Sequence, residues 1–150
     1  MSFYNALNIS ASGMSAQRLR MDLISQNIAN VNTTRDANGE PYRRQTAVFA
    51  EQESNQFGSL LSQATTRKNS EKNGSGVKVT AIVEDHVTAM KTVYDPSHPD
   101  ADESGYVTYP NVNTVTEMTN LIDATRSFEA NVTAFNATKN MLLKGLEVGK

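Results

Sequence analysis

The chain has 150 residues, no cysteine and a formal net charge of −2. That length suffices for one ordinary core, and the missing cysteines exclude disulfides and thiol chemistry. Near-neutrality excludes the cationic excess that nucleic acid or an anionic membrane would require, and the pairs Arg43–Arg44 and Arg67–Lys68 read as solvated surface.

Leu, Ile, Val and Phe together number only 31, near the level at which chains struggle to fold alone, yet the high net charge of a disordered chain is absent. No run of about 18 apolar residues exists, so membrane insertion is not expected. The first charge is Arg18, and Asn5, Asn8, Ser10 and Ser12 interrupt the start. A Sec-type leader is therefore not expected, and export would need another route.

The first predicted element is a helix over Phe3–Val31. Phe3, Leu7, Met14, Met21, Ile24, Ile28 and Val31 recur on a seven-residue pattern with gaps at Ser10 and Gln17. Its polar face is unusual. Residues 1–33 hold 13 uncharged polar side chains but only three charged ones, Arg18, Arg20 and Asp22. At an average composition about eight charges would be expected. A face that hydrogen-bonds without charge suits close contact with other protein; the plainer alternative is an ordinary helical hairpin with a dull surface. Asn, Ser, Thr and Gly13 are weak helix formers, so an isolated helix of this sequence is expected to be marginal. Asn27 and Asn30 near its end fit two roles: terminating the helix, or a buried amide contact that fixes register.

The middle differs. Asp36-Ala37-Asn38-Gly39 carries a tight-turn signal, after which Tyr42–Ala50 reads as a strand. A polar stretch over Ser54–Gly76, ending in the turn Lys72–Gly76, is expected to be a flexible loop. Val77–Glu84 and Val107–Tyr109 are further strand candidates. Tyr94–Gly105 reads as a loop turned by Pro96 and Pro99, with Asp95, His98, Asp100 and Asp102 on it. That cluster lacks the glycine pivot and closing glutamate of a calcium loop, and no zinc spacing occurs, so no metal or other cofactor is expected. No nucleophile–base pair or phosphate-binding loop is legible, and the chain does not read as an enzyme.

The periodicity returns from Asn113 to Leu146. Leu121, Phe128, Phe135 and Leu142 are spaced by seven, with Met118, Val132 and Leu146 beside them. A helix of this length spans roughly 45–50 Å, so it must project or pack along another long helix. The fold class expected is mainly α with a small β region. Long terminal helices pair as a coiled-coil-like core, residues 1–35 with 111–150, and the β-hairpin and loop segment 36–110 lies between them in sequence. Leu7, Met14, Met21, Ile24 and Ile28 are expected to pack with Met118, Leu121, Phe128, Val132, Phe135, Leu142 and Leu146, within or between subunits.

Two stretches carry a resemblance. "ALNISASGMSAQRLRMDLISQNIANVNTT", with its centre at Ser25–Thr33, resembles the N-terminal signature shared by flagellar rod and hook proteins. "EMTNLIDATRSFEANVTAFNATKNMLLKGLEVGK", Glu117–Lys150, resembles the matching C-terminal segment. Tyr94–Met118 and the short length look like a proximal-rod member of the flagellar basal-body rod family. The resemblance implies a structural subunit of a torque-transmitting drive shaft in the basal body, spanning the periplasm and exported by the flagellar type III apparatus without signal cleavage. Its implied partners are further copies of itself, other rod proteins and the adaptor between rod and membrane ring. A reading from another class is a soluble helical adaptor or chaperone of a secretion system, stably folded alone.

Overall fold

The computed structural model describes residues 3–36, 39–52 and 75–148, with the side chains of Phe3 and Val148 excepted. The middle of the Asp36–Gly39 turn, most of the Ser54–Gly76 stretch and Arg67–Lys68 lie outside the described residues.

Two long helices enclose a small antiparallel β region in the chain order. Helix α1 covers Phe3–Ala29 and helix α2 Thr114–Val148; β1 is Gln45–Glu51, β2 Val77–Glu84, β3 Lys91–Tyr94 and β4 Tyr106–Tyr109. β1 pairs with β2 and β3 with β4, each as a two-stranded sheet.

The helix ends follow from local chemistry. α1 stops where Val31 N–H turns back to Ile28 C=O and Thr33 N–H to Asn30 C=O. The Asn30 side chain completes the turn, donating to Gln26 C=O and accepting from the Thr33 hydroxyl. α2 begins at an N-cap: Asn113 Oδ1 accepts the Val115 and Thr116 amides at 3.0 and 3.2 Å, two of the donors a helix start leaves unpaired.

By contact the chain forms two compact units: Met1–Arg18 with Phe49–Thr80 and Arg126–Lys150, and Leu19–Val48 with Ala81–Thr125. In the second unit the Thr125 hydroxyl donates to Met21 Sδ, and Asn27 meets Glu117, so α1 and α2 run antiparallel there. Leu23, Ile24, Val107 and Ala124 are buried. The β3–β4 hairpin pairs Lys91 with Tyr109 and Tyr94 with Tyr106. Its Tyr94 and Tyr106 rings meet edge-on at 5.2 Å. β3 was not legible as a strand: it has four residues and only Val93 is even half-buried, so it carries almost no pattern.

The expected acidic loop joins β3 to β4 and spends Asp95 and Asp102 on its own turns, while Asp100 reaches the stretch after α1. Asp95 accepts the Ser97 amide and hydroxyl, which hold its carboxyl below the usual range. Asp102 accepts the Ser104 and Tyr106 amides. Asp100 accepts the Thr34 hydroxyl and lies 3.6 Å from the Arg35 guanidinium.

In the first unit the helices approach closely. A methyl group on Gly13 would lie 2.7 Å from Asn131 Oδ1. Ser10 and Ala16 are buried. Thus Ser10, a gap in the apolar repeat, is buried, and the missing side chain of Gly13 permits the close approach of Asn131. The Ser12 hydroxyl donates to Ile9 C=O and accepts the Val77 amide. Gly76 sits against it with φ +111°, and a Cβ there would lie 2.2 Å from Ser12 Oγ. Gly76→Ala is therefore expected to lose about 1–3 kcal/mol, read as a lower urea midpoint and faster hydrogen exchange at the Val77 amide. Gly145→Ala, on a helix with nothing within 4 Å of the new methyl, should instead raise the midpoint slightly.

Candidate functional site: a buried polar junction

The largest fully buried side chains among the described residues are Glu117, Val107 and Asn27, so two of the three are polar. Both belong to one junction in the second unit. Three segments build it: the last turn of α1, the extended residues leading into β1, and the first turn of α2.

Asn27 uses its whole amide. Its Nδ2 donates to Gln45 C=O at 2.9 Å and to Glu117 Oε2 at 3.1 Å. Its Oδ1 accepts the Gln45 amide and the Tyr42 hydroxyl, both at 2.9 Å. Two donors and two acceptor sites are all that such a side chain has. The partners also fix which end of the amide is oxygen, since the reverse would set donor against donor. The paired bonds to Gln45 imitate a sheet ladder, so the helix side chain acts as a partner strand at the first residue of β1.

Glu117 is 0% exposed. Its Oε1 accepts Arg44 Nε and Nη2, each at 2.8 Å, while Oε2 takes the Asn27 amide. A bare carboxylate there would be very costly; a guanidinium and an amide satisfy it. Its place in the first turn of α2 adds the favourable end of the helix dipole. Arg44 was expected to be solvated surface with Arg43. The structure corrects this for Arg44, whose side chain is only 25% exposed, because the buried carboxylate needs a cation.

Asn111 braces the same place from outside. Its Oδ1 accepts the Arg44 amide, and its Nδ2 donates to the carbonyls of Asp85 and Thr88. The Asp85 amide in turn reaches Arg44 C=O at 2.8 Å. The Asp85 carboxylate accepts the amide and hydroxyl of Thr88 and the Val87 amide, and is held below its usual range, chiefly by Thr88. The Tyr42 hydroxyl is pushed above its ordinary value by burial first and by the Glu84 and Glu117 charges second.

Of the other residues expected to pack, Ile24 is buried, and Leu7, Met14, Met21, Ile28, Leu121, Phe128, Val132, Phe135 and Leu142 are half-buried. Met118 and Leu146 stand 56% and 65% exposed. On α2 the covered row is Glu117, Leu121, Ala124, Phe128, Asn131, Phe135, Thr138 and Leu142, a strict alternation of four and three. Met118 lies off that row. Glu117 escaped notice because it is charged; its signal was its position, one helical step before Leu121. Tyr42 and Asn111 had no comparable signal.

Asn27→Leu keeps the volume but strands four partner groups, and is expected to cost about 2–4 kcal/mol in urea unfolding. Arg44→Lys keeps the charge but loses the two-nitrogen grip on Oε1, and should cost less, about 1 kcal/mol. Tyr42 favours its neutral form in the fold, so its contribution is full below pH 10 and is lost as pH rises through its higher folded value. Tyr42→Phe should flatten the fall in stability above pH 10, measured by unfolding at stepped pH.

Known proteins share this arrangement of sequence. A family model described as "Flagella basal body rod protein" matches residues 7–35, and one described as "Flagellar basal body rod FlgEFG protein C-terminal" matches residues 103–148. "Flagellar basal-body rod protein FlgC" of Bacillus subtilis is 50% identical, with 100% of both chains covered. Its namesake from Borreliella burgdorferi is 41% identical over 99% of this chain and 98% of its own. That from Salmonella typhimurium is 36% identical with 100% of both covered. The two terminal matches take in Asn27 and Glu117, the halves of the buried junction, and full-length identity joins them: the chain belongs to the FlgC family of flagellar basal-body rod proteins.

Proposed function

We propose that the chain is a structural subunit of the proximal flagellar rod and has no catalytic role. In this reading residues 1–35 and 111–150 form the axial core domain and residues 36–110 the outer part. Copies of the chain, other rod proteins and the rod–membrane-ring adaptor cover its remaining faces. The subunit leaves the cytoplasm through the flagellar type III apparatus without signal cleavage and joins a shaft that carries torque through the periplasm.

One observation supports this most. Among the described residues the buried apolar set is Ala16, Leu23, Ile24, Val107 and Ala124, while Ile9, Val115, Met118, Ile122, Met141, Leu143 and Leu146 of the two helices are exposed. More large apolar side chains face outward along the helices than inward. Burying each in a neighbour gains about 1.5–3 kcal/mol, so many modest contacts add up to torsional stiffness. The half-buried Leu7, Met14, Met21, Ile28, Leu121, Phe128, Val132, Phe135 and Leu142 contribute what the single chain leaves uncovered, and Asn27 and Asn30 hold the end of α1. Weak helix formers fit the same role, because a chain threaded through a narrow channel must unfold easily.

Circular dichroism of the purified chain, alone and mixed with the other rod proteins, tests the reading. The expected result is modest helicity alone that rises on co-assembly. Full helicity with a cooperative melt that partners leave unchanged would favour the adaptor or chaperone reading and overturn this one.

A further inference from the structure

Two surfaces of this chain, an apolar groove and an exposed helix end, carry groups of opposite charge. The first is a groove of about 590 Å³ in the second unit, where Val31, Val93, Tyr109, Pro110, Val112 and Val115 supply apolar walls. Lys91 is the single charged residue lining it, and no carboxylate among the described residues lies within ion-pairing distance of its ammonium. Asn113 and Thr114, at the start of α2, form another part of the wall. The groove therefore combines apolar surface with a free cation and the positive end of a helix dipole.

The second surface is the far end of α2. In the first unit Gly13 lies against Asn131, and an antiparallel partner in that register brings the first residue of α1 opposite residue 141 or so. About two turns of α2 then overhang the start of α1. Met141, Leu143 and Leu146 are exposed on this overhang, and Gly145 has nothing within 4 Å of where a Cβ would stand. The overhang carries Glu147, and its C-terminal end is the negative end of the dipole. Glu147 pairs with Lys144 at 2.7 Å, but both are largely exposed, so exchanging that partner costs little.

We propose that the groove receives the overhanging C-terminal turns of α2 from a second copy of this chain, with Leu143 and Leu146 entering the apolar walls and Glu147 meeting Lys91. Knob and hole are different surfaces, so the contact is head-to-tail and leaves a free groove and a free overhang for the next copy. It adds a named contact to the proposed self-assembly, and it rests on that reading.

The chain has no cysteine, so single introduced thiols report the contact. Full-length Val112→Cys and Leu146→Cys proteins, mixed and mildly oxidised, are expected to give at least fivefold more disulfide-linked dimer than either protein alone. Lys91→Glu or Glu147→Lys, each on an exposed side chain, should lower that yield at least threefold, and the two together should restore it. Equal linkage in the separate samples would mean a face-to-face contact and overturn the proposal, as would linkage indifferent to both charge reversals. Incorporation of the same variants into basal bodies, scored in parallel, keeps the two readings apart. Rods that contain the chain but no 112–146 link overturn the docking and leave the structural role intact. A specific, charge-dependent link in a chain that never enters rods retains the docking and overturns the role.

Discussion

The structure depends on one saturated amide. Asn27 faces two donors and two acceptors, which serve three demands of the fold: the first residue of β1, which takes two of the bonds, the Tyr42 hydroxyl and the Glu117 carboxylate. Sliding α1 by one residue would break every one of these bonds at once. Apolar packing tolerates small slips because its attraction is not directional. A buried amide with four partners does not, and this gives a thin core a definite register. Glu117 works in the same way from α2, its charge matched by Arg44 and by Asn27. Polar groups thus specify how the helices meet, while apolar groups supply only part of the adhesion.

That division suits a subunit whose remaining apolar surface faces outward. Met118 and Ile122 on α2, and Leu143 and Leu146 near its end, are exposed in the single chain. A soluble monomer rarely leaves such side chains in helical rows. Under the proposed role the junction holds the correct pairing within a copy, and neighbours complete the core. Gly13 lets α1 approach Asn131 of α2 closely, and the small residues Ser10 and Ala16 on the same helix are buried.

Much of the architecture was legible in the sequence. The seven-residue recurrence located both helices to within two or three residues, because burial on one side of a helix imposes its period on the chain. β1 and β2 were visible through their β-branched runs and bounding turns. β3 was not, since four mostly exposed residues need no pattern; its strand form comes from pairing with β4. The α1 stripe was seen, and Ile24 on it is buried; Ser10 and Ala16 are buried as well, whereas Met14 and Met21 are half-buried. Apolar periodicity assumes that large side chains are the buried ones, and a close helix pair buries small ones too.

The sequence by itself determined the helices, the family signature at each end and the shortage of core-forming residues, because these are properties of spacing and composition along the chain. Only the tertiary structure decided that Arg44 is a half-buried partner and not solvated surface, that Glu117 is the most enclosed charge among the described residues, and that Asn27 joins them. Arg44 and Glu117 lie 73 residues apart and Asn27 and Glu117 lie 90 apart. Whether a charge is exposed or matched depends on which distant group the fold brings beside it, and no local pattern records that.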